Sequence, residues 1–238
     1  MGSFVWGAAL VLALVALGVV QSAAGANTCD DLHLLAGSTV FVLASGGSTS
    51  ASKDATRTEP VDLVTAMAIA VDCATASQPL TLALHVGTYS LSSALVLASH
   101  TTLDGGYTYA GAGMWSKSNS AATVLHRTGA SYTINAPDQG AYIAVEAVSK
   151  TDWRLQDLTV VTDDAPATSG FRGVSSYGLY IRNSIDYQIV RCSIVPGAAS
   201  SGKAGDAGLA QMAATTMAAF PDTAAMAAKE AKVAGAEV

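Results

Sequence analysis

From Leu80 to Val195 the chain alternates short apolar runs with Ser, Thr, Asn and Asp. The runs are "LTLALHV", "ALVLASHTTLDG", "ATVLHRT", "YIAVEAVS", "WRLQDLTVVT", "GLYIRNS" and "YQIVRCSIV". Alternation with a period of two predicts strands that hide every second side chain. Two stretches repeat each other without a gap: "VEAVSKTDWRLQDLTVV" (Val145–Val161) and "LYIRNSIDYQIVRCSIV" (Leu179–Val195). Val145 matches Leu179, Ala147 matches Ile181, Asp152-Trp153 matches Asp186-Tyr187, and Ser149 matches Asn183. Leu95, Leu97 and Ser99 begin a third, partial copy. One apolar run, a small polar turn residue and a second apolar run make one coil of a solenoid, stacked strand on parallel strand. Ser99, Ser149 and Asn183 are expected at equivalent turns. The competing architecture is a β-sandwich with regular hairpins, but glycine turns recur too rarely for it; "DGG" at Asp104 is the main hairpin signal.

Before the repeats, "TVFVLASGG" (Thr39–Gly47) predicts a strand. "PVDLVTAMAIAVDCATA" predicts a helix opening at Pro60, with Leu63, Met67, Ala70 and Ala74 on one face. After Gly208 the chain becomes Ala-rich, and high helix propensity predicts a helical tail over 209–238. It is expected either to cover the last open coil or to mark a truncated end.

The run "FVLASGG…LALHVGTYSLSSALVLASHTTLDGG" resembles the opening region of pectin-lyase-like β-helix proteins, through His85-Val86-Gly87-Thr88-Tyr89 and Leu103-Asp104-Gly105-Gly106. More narrowly, the chain is similar to secreted bacterial surface proteins of that fold. The shared elements are Gly105-Gly106-Tyr107, Trp115, Ser175-Ser176-Tyr177-Gly178-Leu179 and the glycine-rich run from Pro196. The resemblance spans about Thr39 to Gly208. It implies an all-β, right-handed parallel β-helix with an N-terminal capping helix. These markers speak for architecture more than for activity.

Four segments are expected: 1–26 signal peptide, 27–79 strand and capping helix, 80–208 β-helix coils, 209–238 tail. The first segment has an apolar core from Ala8 to Val20, short of the roughly 20 residues of a membrane span. "SAAGA" follows it, with cleavage expected before Asn27. No Lys or Arg precedes the core, so an uncleaved anchor from Phe4 remains the alternative. A cleaved signal places the protein outside the cell or on its surface, with no membrane span. In that setting Cys29–Cys73 is the candidate disulfide, and Cys192 is a small apolar filler.

Charged residues make up 13% of the chain and the net charge is −6, so no basic footprint indicates nucleic acid. An enzyme that cleaves polysaccharide needs charged groups gathered on neighbouring coils. The adjacent acids Asp163 and Asp164, with Arg172, are the best-looking charged group; the two acids are the candidate metal site, and calcium is the ion they would hold. No catalytic residue is assigned. Tyr107, Tyr109, Trp115, Tyr177 and Tyr180 are the candidate glycan-binding aromatics, since such rings stack on sugars while their polar tips hydrogen-bond. The expected function is a non-catalytic secreted or surface protein that binds glycans or mediates adhesion. The alternatives are a truncated lyase or hydrolase of the same fold and a structural spacer.

Overall fold

The computed structural model describes residues 29–30, 38–49, 55–136, 139–168 and 173–202. The expected signal peptide, the expected 209–238 tail and Arg172 lie outside the described residues. The described chain is mostly β, with one helix, α1 (Leu63–Cys73). Sheet A contains β1 (Thr39–Val42), β2 (Leu80–His85), β5 (Thr101–Tyr109), β10 (Thr151–Gln156) and β13 (Ile185–Val190), in that order. Sheet B runs β3 (Gly87–Leu91), β7 (Thr123–Arg127), β11 (Thr159–Thr162), β14 (Ser193–Val195). Sheet C runs β4 (Leu95–Val96), β9 (Gln139–Val148), β12 (Val174–Arg182). All these neighbours pair in parallel. From β2 onward the chain visits A, B and C in turn, so each circuit lays one layer on the last. Two short strands depart from this order: β6 (Trp115–Lys117) pairs antiparallel with β5, and β8 (Thr133–Ala136) with β9.

The gapless alignment of Val145–Val161 with Leu179–Val195 is the sheet register. Val145 faces Leu179, Trp153 faces Tyr187, Leu155 faces Ile189 and Val160 faces Ile194. Three corners also repeat, each built on a left-handed residue: Ser149 and Asn183, Asp152 and Asp186, Asp157 and Arg191. Short polar side chains tolerate that conformation best, which explains five of the six. In the earlier layer the left-handed residue is His100, and not Ser99; Thr101 pairs with Trp153, so His100 stands at the place of Asp152.

Inward rows form continuous apolar columns. In sheet A, Val40, Leu82, Leu103, Leu155 and Ile189 stack in successive strands. In sheet B the column is Tyr89, Leu125, Val160 and Ile194. Members of these columns join Leu95 and Val145 of sheet C in one core. Burying each such side chain contributes about 1.5–3 kcal/mol. Tyr89, the aromatic of the "GTY" element, donates its buried hydroxyl to the carbonyls of Val42 (3.0 Å) and His85 (3.1 Å).

Helix α1 starts three residues after Pro60. Val61 is held extended by pairing with Val42 and Ser48, and the Asp62 carboxylate accepts from the Thr65 amide at 2.7 Å. Asp62 is therefore the N-cap. Leu63, Ala66, Met67, Ile69, Ala70 and Cys73 are buried and extend the core beyond β1 and β2. Cys73, the last helical residue, is disulfide-bonded to Cys29, and Cys192 is a free, half-buried thiol.

Candidate functional site: an aromatic hairpin over sheet A

The end of β5 turns back as the β5–β6 hairpin, whose Trp115 packs against Phe41 of β1. Two glycines make this possible. A Cβ on Gly105 would lie 2.3 Å from the Asp157 carbonyl oxygen, and Gly106 is left-handed, with its missing Cβ 2.5 Å from the Ser118 carbonyl oxygen. A side chain at Gly105 would push β5 off the neighbouring layer, and one at Gly106 would push apart the two ends of the hairpin. The turn 110–114 closes through the Met114 amide on Gly111 O (2.9 Å) and the Ala110 amide on Met114 O (3.0 Å). Antiparallel pairing then sets Tyr109 opposite Trp115 and Tyr107 opposite Lys117.

Trp115 is the hub. Its ring lies 4.8 Å from Tyr109 and 4.9 Å from Phe41, centroid to centroid, both tilted. His85 and Tyr107 approach edge-on at 6.1 and 6.5 Å. The indole N–H donates to the Arg57 carbonyl at 2.8 Å, and the Arg57 guanidinium sits 5.4 Å above the Phe41 ring. Tyr109 also lines an open groove of about 370 Å³, together with Leu43, Gly46, Ser48, Glu59 and Pro60. The groove thus brings Tyr109 beside Glu59 and Ser48.

Beside the aromatic set lies a compact charge cluster. Lys117 bridges Asp104 and Asp157, the latter at 2.8 Å. Tyr107 donates its hydroxyl to Asp104 at 2.9 Å. Arg191, from the last layer, forks onto Asp157, with Nη2 2.9 Å from Oδ2. Asp157 is buried, and its carboxyl is held well below the usual carboxylate range, first by the Arg191 hydrogen bonds and then by Lys117. The Tyr107 hydroxyl is pushed up to about 12 by burial and by its bond to Asp104. Two carboxylates against two cations leave the cluster neutral. It is built as a clamp that fastens the hairpin to two successive layers.

Three of the five candidate aromatics, Tyr107, Tyr109 and Trp115, therefore converge. Tyr177 and Tyr180 do not join them: they form an edge-to-face pair at 5.5 Å on β12 of sheet C. Asp163 and Asp164 follow β11, and their carboxylates take different partners. Asp163 meets His126 Nε2 at 2.8 Å, and Asp164 accepts from the Ala198 amide at 2.7 Å. Among the described residues no group of three or more His, Cys, Asp or Glu gathers as a metal would require. The sequence-based set omitted Phe41, Arg57, Glu59, Lys117 and the hairpin itself. Its signal was "YTYAGAGMWSK", a glycine-rich turn between two alternating aromatic runs. Compared with family models, with curated proteins and with solved structures, the chain matches none.

Proposed function

We propose that this chain is a secreted or cell-surface protein of right-handed parallel β-helix architecture, and that the aromatic hairpin on sheet A binds a glycan without cleaving it. The architecture is supported by the cyclic passage through three parallel sheets and by the constant register of the last two layers. Secretion is supported by the apolar leader and by the Cys29–Cys73 disulfide, which belongs to an oxidising compartment. Glycan binding is carried by one observation: Tyr109, in tilted contact with Trp115, lines a groove that Glu59 and Ser48 also line. A sugar has an apolar face for the ring and hydroxyls for the carboxylate. The charge cluster supports binding over cleavage, since the Asp157 carboxylate is shut away from solvent and both its oxygens are engaged.

The test is a glycan-array screen of the mature chain with and without calcium, which also probes Asp163 and Asp164. Titration of each hit against Tyr109→Ala follows. Affinity should fall at least tenfold, with no release of reducing or unsaturated ends. An array without hits, or hits unaffected by Tyr109→Ala, rejects this site; turnover of a hit promotes the lyase or hydrolase alternative.

A further inference from the structure

The last layer is exposed where the layer before it is not. Trp153 is 2% exposed, and its partner one layer on, Tyr187, is 43% exposed. Leu155 and Ile189 differ in the same way, 0% against 40%, and so do Val160 and Ile194, 0% against 38%. Each pair shares a register and a side of its strand. Among the described residues, no strand lies above the second member of each pair. Tyr187 stacks one face on Trp153 at 4.8 Å, nearly coplanar, and turns the other outward. Ile185, which precedes Tyr187 on the same strand, is exposed as well, and β12, β13 and β14 each end their sheet. An apolar row beside strand edges that take no further strand among the described residues is a surface that chains in water keep covered.

The chain's own path leads onto this surface. After β14, the Gly197 amide donates to Thr162 Oγ1 (2.8 Å), and the Ala198 carbonyl accepts from Ala165 N (2.8 Å). Ser200 then exchanges two bonds with Val174, the first residue of β12. The chain is thus delivered at Gly202 to the margin of the open face. In the sequence that follows, Ala207 to Pro221 carries no charge and holds Leu209, Met212, Met217 and Phe220. Methionine adapts to irregular apolar surfaces. At the 34-residue spacing of the last two layers, a further copy of the repeat would put Pro221 at the place of Tyr187, where a central strand does not accept proline.

We propose that the exposed end of the last layer is the docking surface for this chain's own residues 203–238. The test uses the full chain with Tyr187→p-benzoylphenylalanine, irradiated and mapped by mass spectrometry. Cross-linked peptides should join position 187 to the 203–238 segment at monomer mass. Doubled mass, with position 187 joined to a second copy, overturns the proposal in favour of an end-to-end dimer, and so does the absence of any protein cross-link. Hydrogen exchange on the unsubstituted chain keeps the test open if the variant fails to fold. Amides of 185–195 that point to the open edge should exchange slowly at a concentration-independent monomer mass. Exchange at unprotected rates, or protection that appears only with dimerisation, overturns the proposal.

Discussion

Arg127 is a buried cation whose five N–H donors are all spent on neutral acceptors, and replacing it should unfasten the corner between sheets B and C. Nε donates to the Ile143 carbonyl (3.1 Å); Nη1 to those of Leu91 (3.0 Å) and Thr128 (2.7 Å); Nη2 to the Ser131 carbonyl and hydroxyl. The guanidinium also lies 4.7 Å from the Tyr142 ring centroid, and the Tyr142 hydroxyl returns to the Arg127 carbonyl. Hydrogen bonds to a charged group contribute about 1.5–3 kcal/mol each, so five would nominally exceed 7 kcal/mol. Desolvation opposes them, as the lowering of the Arg127 pKa by burial shows. Arg127→Met keeps the stem and removes every donor. The Leu91 carbonyl retains the Thr128 amide, while the others lose this partner. The expected net loss is about 3–5 kcal/mol, a large share of a typical stability of about 5–15 kcal/mol. Arg127→Lys retains the charge but at most three donors and should fall between. Urea unfolding followed by circular dichroism measures both, as a lower midpoint with an unchanged slope. A loss below about 1 kcal/mol for Arg127→Met, or a lysine variant equal to the parent, refutes the reasoning.

Three further outcomes are expected. The folded Asp157 pKa is depressed, so its contribution is present above the unfolded value of about 4 and is lost as pH falls toward the folded value; acid unfolding should begin near pH 4, and Asp157→Asn should be less stable at pH 7 with a flatter acid limb. The Cys29–Cys73 bond spans 44 residues, so Cys29→Ser should cost up to about 4 kcal/mol by loop-entropy reasoning, measured by thermal melting, with no further loss on adding dithiothreitol. Ile181 packs against the core beside the fully buried Ala147 while Arg182 is exposed, so Ile181→Asp should cost several kcal/mol and Arg182→Asp under about 0.5 kcal/mol by urea unfolding; equal tolerance would mean a different register.

The strand register was legible because inward positions obey one rule in every layer. Val145 and Leu179, or Leu155 and Ile189, can be aligned by eye since each must fill the same slot. The Asp157–Arg191 pair follows from the same alignment, since equal spacing places the two residues at equivalent corners of successive layers. The helix start was misplaced because Pro60 fits a first helical turn equally well, and only the tertiary pairing of Val61 with β1 forbids it. The site was half legible. Tyr107, Tyr109 and Trp115 stand out by composition, but Phe41 lies in a strand two places away in the sheet, and Arg57 contributes a carbonyl, which no side-chain pattern reveals. Tyr177 and Tyr180 carry the same chemistry in sequence and differ from the others only in the sheet on which they fall.

The layers differ most in length where the candidate site lies, and this difference argues for the hairpin as the functional addition. In sheet A, Thr101 comes 21 residues after its partner Leu80, Trp153 comes 52 after Thr101, and Tyr187 comes 34 after Trp153. A circuit of 21 residues already closes the path from sheet A back to sheet A. The extra residues of the longest circuit are therefore not needed for stacking. They supply β6 and β8, the strands that pair antiparallel outside the layered order. β6 is clamped by buried charge, through Lys117 on Asp104 and Asp157, and Arg191 adds a grip from the following layer. An insertion held this firmly pre-organises Trp115 and Tyr109 before any ligand arrives, which lowers the ordering cost of binding. The clamp also explains the glycine pair. Gly105 lets β5 lie close enough to Asp157 for Lys117 to reach it, and Gly106 lets the strand return beside Ser118, so the two glycines also help set the aromatic face in place.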